Sequence, residues 1–137
     1  MGATKKVWWE QDLATYARHL RDIAGTFSGT PGGTAAQHDL DDLANRLFIA
    51  ARDAFQRRDR DTGKQIHQLL QQVLGAKIFE ASRRKFYQRE RIAEKKFEAA
   101  GRLEARGDMT RAIQAYEETV ANFSGTVAAD QARQRLP

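Results

Sequence analysis

The chain has 137 residues, 41% of them hydrophobic and 30% charged, and carries 23 Lys and Arg against 18 Asp and Glu for a net charge of +5, the balance of one ordinary globular domain. It contains no cysteine, which excludes disulfides, thiolate metal sites and cysteine nucleophiles. No run approaches the roughly 20 apolar residues that a membrane-spanning helix needs, and Met1 to Glu10 lacks the apolar core of an intact secretory signal, so the default location is cytoplasmic, with the bacterial envelope open if a signal segment was trimmed.

Strand alternation is nowhere sustained, while apolar spacings of three and four recur, predicting an all-α fold of six helices. The first covers about Val7 to Ala24, with Leu13, Tyr16, Ala17, Leu20, Ile23 and Ala24 on one face. A Gly-rich loop from Gly25 to Gly33 follows. Thr34-Ala35-Ala36-Gln37 has the capping-box pattern and predicts a second helix to about Arg58, through Leu40, Leu43, Leu47, Ala50, Ala51 and Phe55. Thr62-Gly63-Lys64-Gln65 repeats that pattern and opens a third helix carrying Ile66, Leu69, Leu70 and Val73, with Gly75 as its C-terminal stop. The fourth helix is long, Ala76 to Arg106, ending at Gly107. Asp108 caps the fifth, through Ile113, Tyr116 and Val120, and Val127 to Leu136 forms the sixth.

Phe27-Ser28-Gly29-Thr30 returns unchanged as Phe123-Ser124-Gly125-Thr126, which predicts a turn between paired helices used twice. Each copy is followed by an Ala pair, Ala35-Ala36 and Ala128-Ala129, and preceded by a bulky residue seven positions upstream, Leu20 and Tyr116. From Ala93 to Ser124 the chain resembles a tetratricopeptide (TPR) repeat: Ala100, Leu103, Gly107, Asp108, Ala112, Tyr116 and Val120 fall where that helix-turn-helix unit takes small, large, turn, turn, small, aromatic and apolar residues. The second Phe-Ser-Gly-Thr segment is similar to the repeat boundary of bacterial envelope TPR proteins, with Ser124 where proline is usual. A looser copy spans Asn45 to Val73, with Phe48, Ala50, Ala51, Arg58-Asp59, Ile66 and Leu69; Gly63 or Lys64 stands near its small-residue position and its turn is two residues longer. The resemblance implies one repeat domain over residues 1–137, with TPR-like units at about 45–74 and 93–126, a capping helix at 127–136, and a binding role without catalysis.

Charge is uneven. Residues 76–106 hold ten basic and five acidic residues, so the whole surplus lies on the fourth helix. One reading is a basic stripe for nucleic acid; the blander one is a solvated face with spaced pairs among Arg91, Glu94, Lys95, Glu98 and Arg102. Phe79, Phe86, Ala93 and Ala100 recur every seven residues, and Phe79 and Phe86 are expected to lack cover within the chain. Adjacent Trp8 and Trp9 cannot share one helix stripe, so one is expected to cap the core and the other to meet a partner or second copy, with N-terminal capping alone and a membrane-proximal anchor beside Lys5-Lys6 as the lower-ranked readings. The expected partner-binding set is therefore Trp8, Trp9, Phe79, Phe86, Arg83, Arg84, Lys85 and Arg89, contacting a second copy or a protein partner. His19, His38 and His67 have no metal-ligand spacing, and Gly29 to Thr34 lacks the ending of a phosphate-binding P-loop. No catalytic residue, metal or cofactor is expected. The expected function is a non-enzymatic, self-associating scaffold module; the alternative is a basic helical nucleic-acid-associated protein.

Overall fold

A computed structural model describes the backbone from Trp8 to Pro137 and side chains from Leu13 onward. Six helices follow in order: α1 (Trp8–Thr26), α2 (Pro31–Gln56), α3 (Arg60–Leu74), α4 (Ala76–Ala105), α5 (Met109–Asn122) and α6 (Val127–Arg135). Among the described residues there is no strand, and the fold is all-α. The chain divides into two compact units, residues 1–81 and 82–137, with α4 starting in the first and continuing in the second.

In the first unit α1, α2 and α3 pack on one another. Their core is Ala14, Ala17 and Leu20 from α1, Leu40, Leu47, Phe48, Ala51 and Ala54 from α2, and Ile66, Leu69, Leu70 and Val73 from α3. Two residues expected on these apolar faces are not there. Tyr16 is 52% exposed, and Ala50 faces water beside the fully buried Ala51. Beside Tyr16 the smaller Ala17 occupies the close helix approach, where a ring would hold the helices apart, and at the second site Ala51, of the same size as Ala50, takes the inward position. Arg21 of α1 donates to the carbonyl of Val73 at 3.1 Å, placing a cation at the negative end of α3.

In the second unit, Ala100, Ala112, Tyr116 and Ala132 form the centre, with Phe97, Leu103, Ala115, Val120 and Leu136 packed around them. The rings of Phe97 and Tyr116 lie 5.6 Å apart. α6 packs on α5 through the buried Ala128, Ala129 and Ala132.

The two Phe-Ser-Gly-Thr segments build one and the same turn. Gly29 and Gly125 have φ of 82° and 88°, the left-handed region that glycine enters at least cost. The amides of Thr30 and Thr126 donate to the carbonyls of Phe27 and Phe123 at 3.0 and 3.1 Å, and their hydroxyls donate to those same carbonyls. Each threonine oxygen also caps the following helix, accepting from Gly33 and from Ala129 at 3.1 Å. Thr30, not Thr34, therefore starts α2, because Pro31 supplies a preset φ at the first helical position. The Gly-rich loop shrinks accordingly, as α1 runs on through Gly25 and Thr26. The same displacement occurs at α3, where the Asp59 carboxylate accepts from the Thr62 amide at 3.3 Å and takes the capping role expected of Thr62. Hydrogen bonds from the Thr62 side chain and backbone hold the Asp59 carboxyl below its ordinary range.

A second turn also recurs, and it removes the two extra residues expected in the first repeat. Arg58 and Asp59 donate to the carbonyls of Phe55 and Ala54, as Gly107 and Asp108 do to those of Glu104 and Leu103. Both are Schellman closures, and in both the aspartate then caps the next helix, on Thr62 and on Arg111. Counting from Asp59 and Asp108, the hairpins α2–α3 and α4–α5 match position by position: Phe48 with Phe97, Ala51 with Ala100, Gly63 with Ala112, His67 with Tyr116. The ring pairs match too, Phe48 with His67 at 6.2 Å and Phe97 with Tyr116 at 5.6 Å. Nor is α4 exceptional in length, since α2 has 26 residues against its 30.

Gly107 occupies the left-handed position of its closure with φ 82°, whereas Arg58 holds the equivalent position at φ 63°. Arg58→Gly is therefore expected to stabilise the protein by about 0.5–1 kcal/mol, the cost of holding a side chain in that region. Urea unfolding checks this, and a loss of stability would mean that Arg58 makes a compensating contact.

Candidate partner-binding surface

Of the expected partner-binding residues, Phe79 is corrected first. It is 6% exposed, stacked on Phe48 at 5.9 Å and 13° and set edge-on to His67 at 5.6 Å. Phe55 joins the group, its ring 5.2 Å from His67. An imidazole among three phenyl rings thus covers the start of α4, and Phe79 belongs to the core of the first unit. Trp8 and Trp9 open α1, but their side chains lie outside the described residues.

Phe86 is half-buried, with its ring edge-on to Tyr87 at 5.1 Å and 90°. Arg83, Arg84 and Lys85 are exposed. At 100° per residue, Arg83 and Lys85 flank Phe86 on either side of the helix and Arg84 points away from it.

Arg89 is exposed and also makes contacts within the second unit. Its guanidinium donates to the Ser124 carbonyl at 3.0 Å, with a longer approach to Asn122 at 3.5 Å, and lies 5.8 Å from the centre of the Phe123 ring. Next to it, the Glu90 carboxylate accepts from the Val127 amide at 3.2 Å. The pair grips the turn between α5 and α6: the cation meets the carbonyl end of α5 and the anion the amide end of α6, each matching the local helix dipole.

A second polar cluster closes the other end of that unit. Tyr116 donates through its hydroxyl to Glu104 at 2.8 Å, and Arg135 donates to the other oxygen of that carboxylate at 2.8 Å. Burial, followed by the hydrogen bond to Glu104, pushes the Tyr116 phenol above its ordinary value. Arg135 is raised in turn, chiefly by its interaction with Tyr116.

The described residues line two shallow recesses, among others. One, of about 250 Å³, lies between α4 and α5, floored by Ala99 and Ala115 and rimmed by Lys96, Glu118, Asn122 and Phe123. Its small floor and charged rim suit one modest apolar side chain with polar neighbours. The other, of about 380 Å³, opens beside the first turn, between Ser28, Gly33, Thr34, Gln37, His38 and Asp41. There Thr30 already takes the Gly33 amide, and Gln37 donates to the Asp41 carboxylate at 2.8 Å, so the amides that could meet a phosphate stand beside a negative charge.

Among the described residues, no group of three or more His, Cys, Asp or Glu is placed to hold a metal, and no helix is long and apolar enough to cross a membrane. Compared with protein families, with curated proteins and with solved structures, the chain has no match. Sequence reasoning missed Glu90, Glu104 and Arg135. Each acts across the fold on a residue at least 31 positions away in one of its bonds, and helical periodicity carries no signal for such pairs.

Proposed function

We propose that the protein is a TPR-like helical repeat module that binds protein, a second copy of itself or a partner subunit, and does no chemistry of its own. The recurrence of one hairpin design carries this reading: the same Schellman turn, aspartate cap, small residue at the helix crossing and aromatic pair appear in α2–α3 and in α4–α5. Repeats of that kind present stacked helix faces as a continuous surface, and their usual work is recognition. Phe86 supplies the apolar anchor, with Arg83 and Lys85 beside it to steer an acidic partner. The tryptophan-bearing start of α1 adds the second contact.

The test is light scattering coupled to gel filtration over a concentration series. The wild type is expected to associate. Phe86→Ala and Trp9→Ala are each expected to weaken association about tenfold, the effect of losing one aromatic anchor worth roughly 1–2 kcal/mol, with unchanged helical circular dichroism. A protein that remains monomeric at every concentration, and that recovers no partner through Phe86, would overturn the reading.

A further inference from the structure

We infer that the first Phe-Ser-Gly-Thr turn is a docking site for an arginine carried on a helix of a partner protein. The inference rests on the protein-binding role proposed above but uses a different surface. The helices α1, α3 and α5 have no basic residue in their last turn, so none neutralises the negative end of its own dipole. For two of them another helix supplies the cation. Arg21 of α1 donates to the Val73 carbonyl at the end of α3, at 3.1 Å, and Arg89 of α4 donates to the Ser124 carbonyl just past α5, at 3.0 Å. Among the described residues no donor meets the matching Ser28 carbonyl, just past α1.

The two Phe-Ser-Gly-Thr turns share one backbone geometry, so the filled copy shows what the open one can accept. In the second turn the Arg89 guanidinium lies 5.8 Å from the centre of the Phe123 ring, which is half-buried. In the first turn the Phe27 ring is 54% exposed. A bare ring beside an open carbonyl offers a guanidinium both a stacking face and an acceptor.

Two features of the first turn select a cation over an anion. Val127 donates its amide to Glu90 in the second turn, but Pro31 stands at the matching position and has no N–H. The anionic half of the Arg89–Glu90 clamp therefore has no counterpart here. The recess of about 380 Å³ beside the turn is lined by Ser28 and Gly29 and, from α2, by Gln37, His38 and Asp41. Asp41 is its only carboxylate, and neither lysine nor arginine lines it. Arginine is favoured over lysine because its planar fork can donate to a carbonyl while lying against a ring, whereas an ammonium is a compact, strongly hydrated charge. A helix is favoured as the carrier because Arg21 and Arg89 both come from helices.

Titration of the whole protein with alanine-based helical peptides, followed by nuclear magnetic resonance, tests the inference. The probes are identical except for one central arginine, lysine or glutamate. The arginine peptide is expected to shift the amide signals of Ser28, Gly29 and Thr30 and to bind more tightly than the lysine peptide, and the glutamate peptide should leave those signals unmoved. Phe27→Ala should weaken arginine binding about two- to fivefold, the worth of an exposed cation–π contact, and Asp41→Asn should weaken it by a similar factor. Both positions are exposed, and circular dichroism verifies that the helices persist. Phe86→Ala should leave the titration unchanged, so this site and the association surface can fail separately: loss of either leaves the other measurable. Equal binding of the lysine and arginine peptides, or full arginine binding by the Phe27→Ala, Asp41→Asn double variant, would overturn the inference. Loss of the protein's own association in Phe27→Ala, read by light scattering, would make the occupant a second copy and overturn its assignment to a partner.

Discussion

Ala112→Leu is expected to destabilise the second unit by about 2–3 kcal/mol, the upper part of the usual cost of overpacking, and to lower the melting temperature by roughly 10 °C. Ala112 is fully buried where α5 meets α4, in one cluster with the equally buried Ala100. Three added carbons have nowhere to go except between the helices, so the hairpin must open or Tyr116 must leave its site. The matching position of the first hairpin gives an internal control. A Cβ placed on Gly63 would stand 2.7–2.8 Å from atoms of the Phe55 ring, so that ring must tilt, and it rests against His67. Gly63→Ala should therefore fail to deliver the stabilisation of about 1 kcal/mol that removing a helix glycine ordinarily brings. Thermal unfolding of both variants decides: if Ala112→Leu melts with the wild type and Gly63→Ala gains the full increment, neither position lies at a close helix crossing.

Local features were legible before the structure and tertiary ones were not, for identifiable reasons. Helix number, the long α4, the stop at Gly75 and the cap at Asp108 all follow from period and cap chemistry, which act within four residues. The starts of α2 and α3 were misplaced because two capping residues compete at each, Thr30 with Thr34 and Asp59 with Thr62, and the earlier one also has a turn to close. Heptad spacing found Phe79 but could not tell who covers it: the rings that do so, Phe48 and His67, come from two other helices. Net charge located the basic helix, while the engagement of two of its carboxylates, Glu90 and Glu104, depended on the distant partners Val127 and Arg135. A count of charges along a helix is blind to which of them the fold has already matched.

Tyr116→Ala is expected to cost about 3–4 kcal/mol, the range for truncating a buried aromatic ring, since Tyr116 is 2% exposed and sits at the centre of the second unit against Phe97 and Ala100. Tyr116→Phe separates ring from hydroxyl. It keeps the packing and removes one hydrogen bond, from which Glu104 retains its contact to Arg135, so about 1 kcal/mol should be lost. The hydroxyl also makes stability depend on alkaline pH. Burial raises the Tyr116 phenol above its unfolded value near 10, so the unfolded chain releases this proton more readily than the folded one. The contribution is fully present below the unfolded value and is lost as pH rises through the higher folded value. Wild-type protein should therefore lose stability in alkaline solution, and Tyr116→Phe should flatten that fall. Identical alkaline profiles for the two proteins would show that ionisation of Tyr116 is not coupled to unfolding, and that its hydroxyl reaches water in the folded unit.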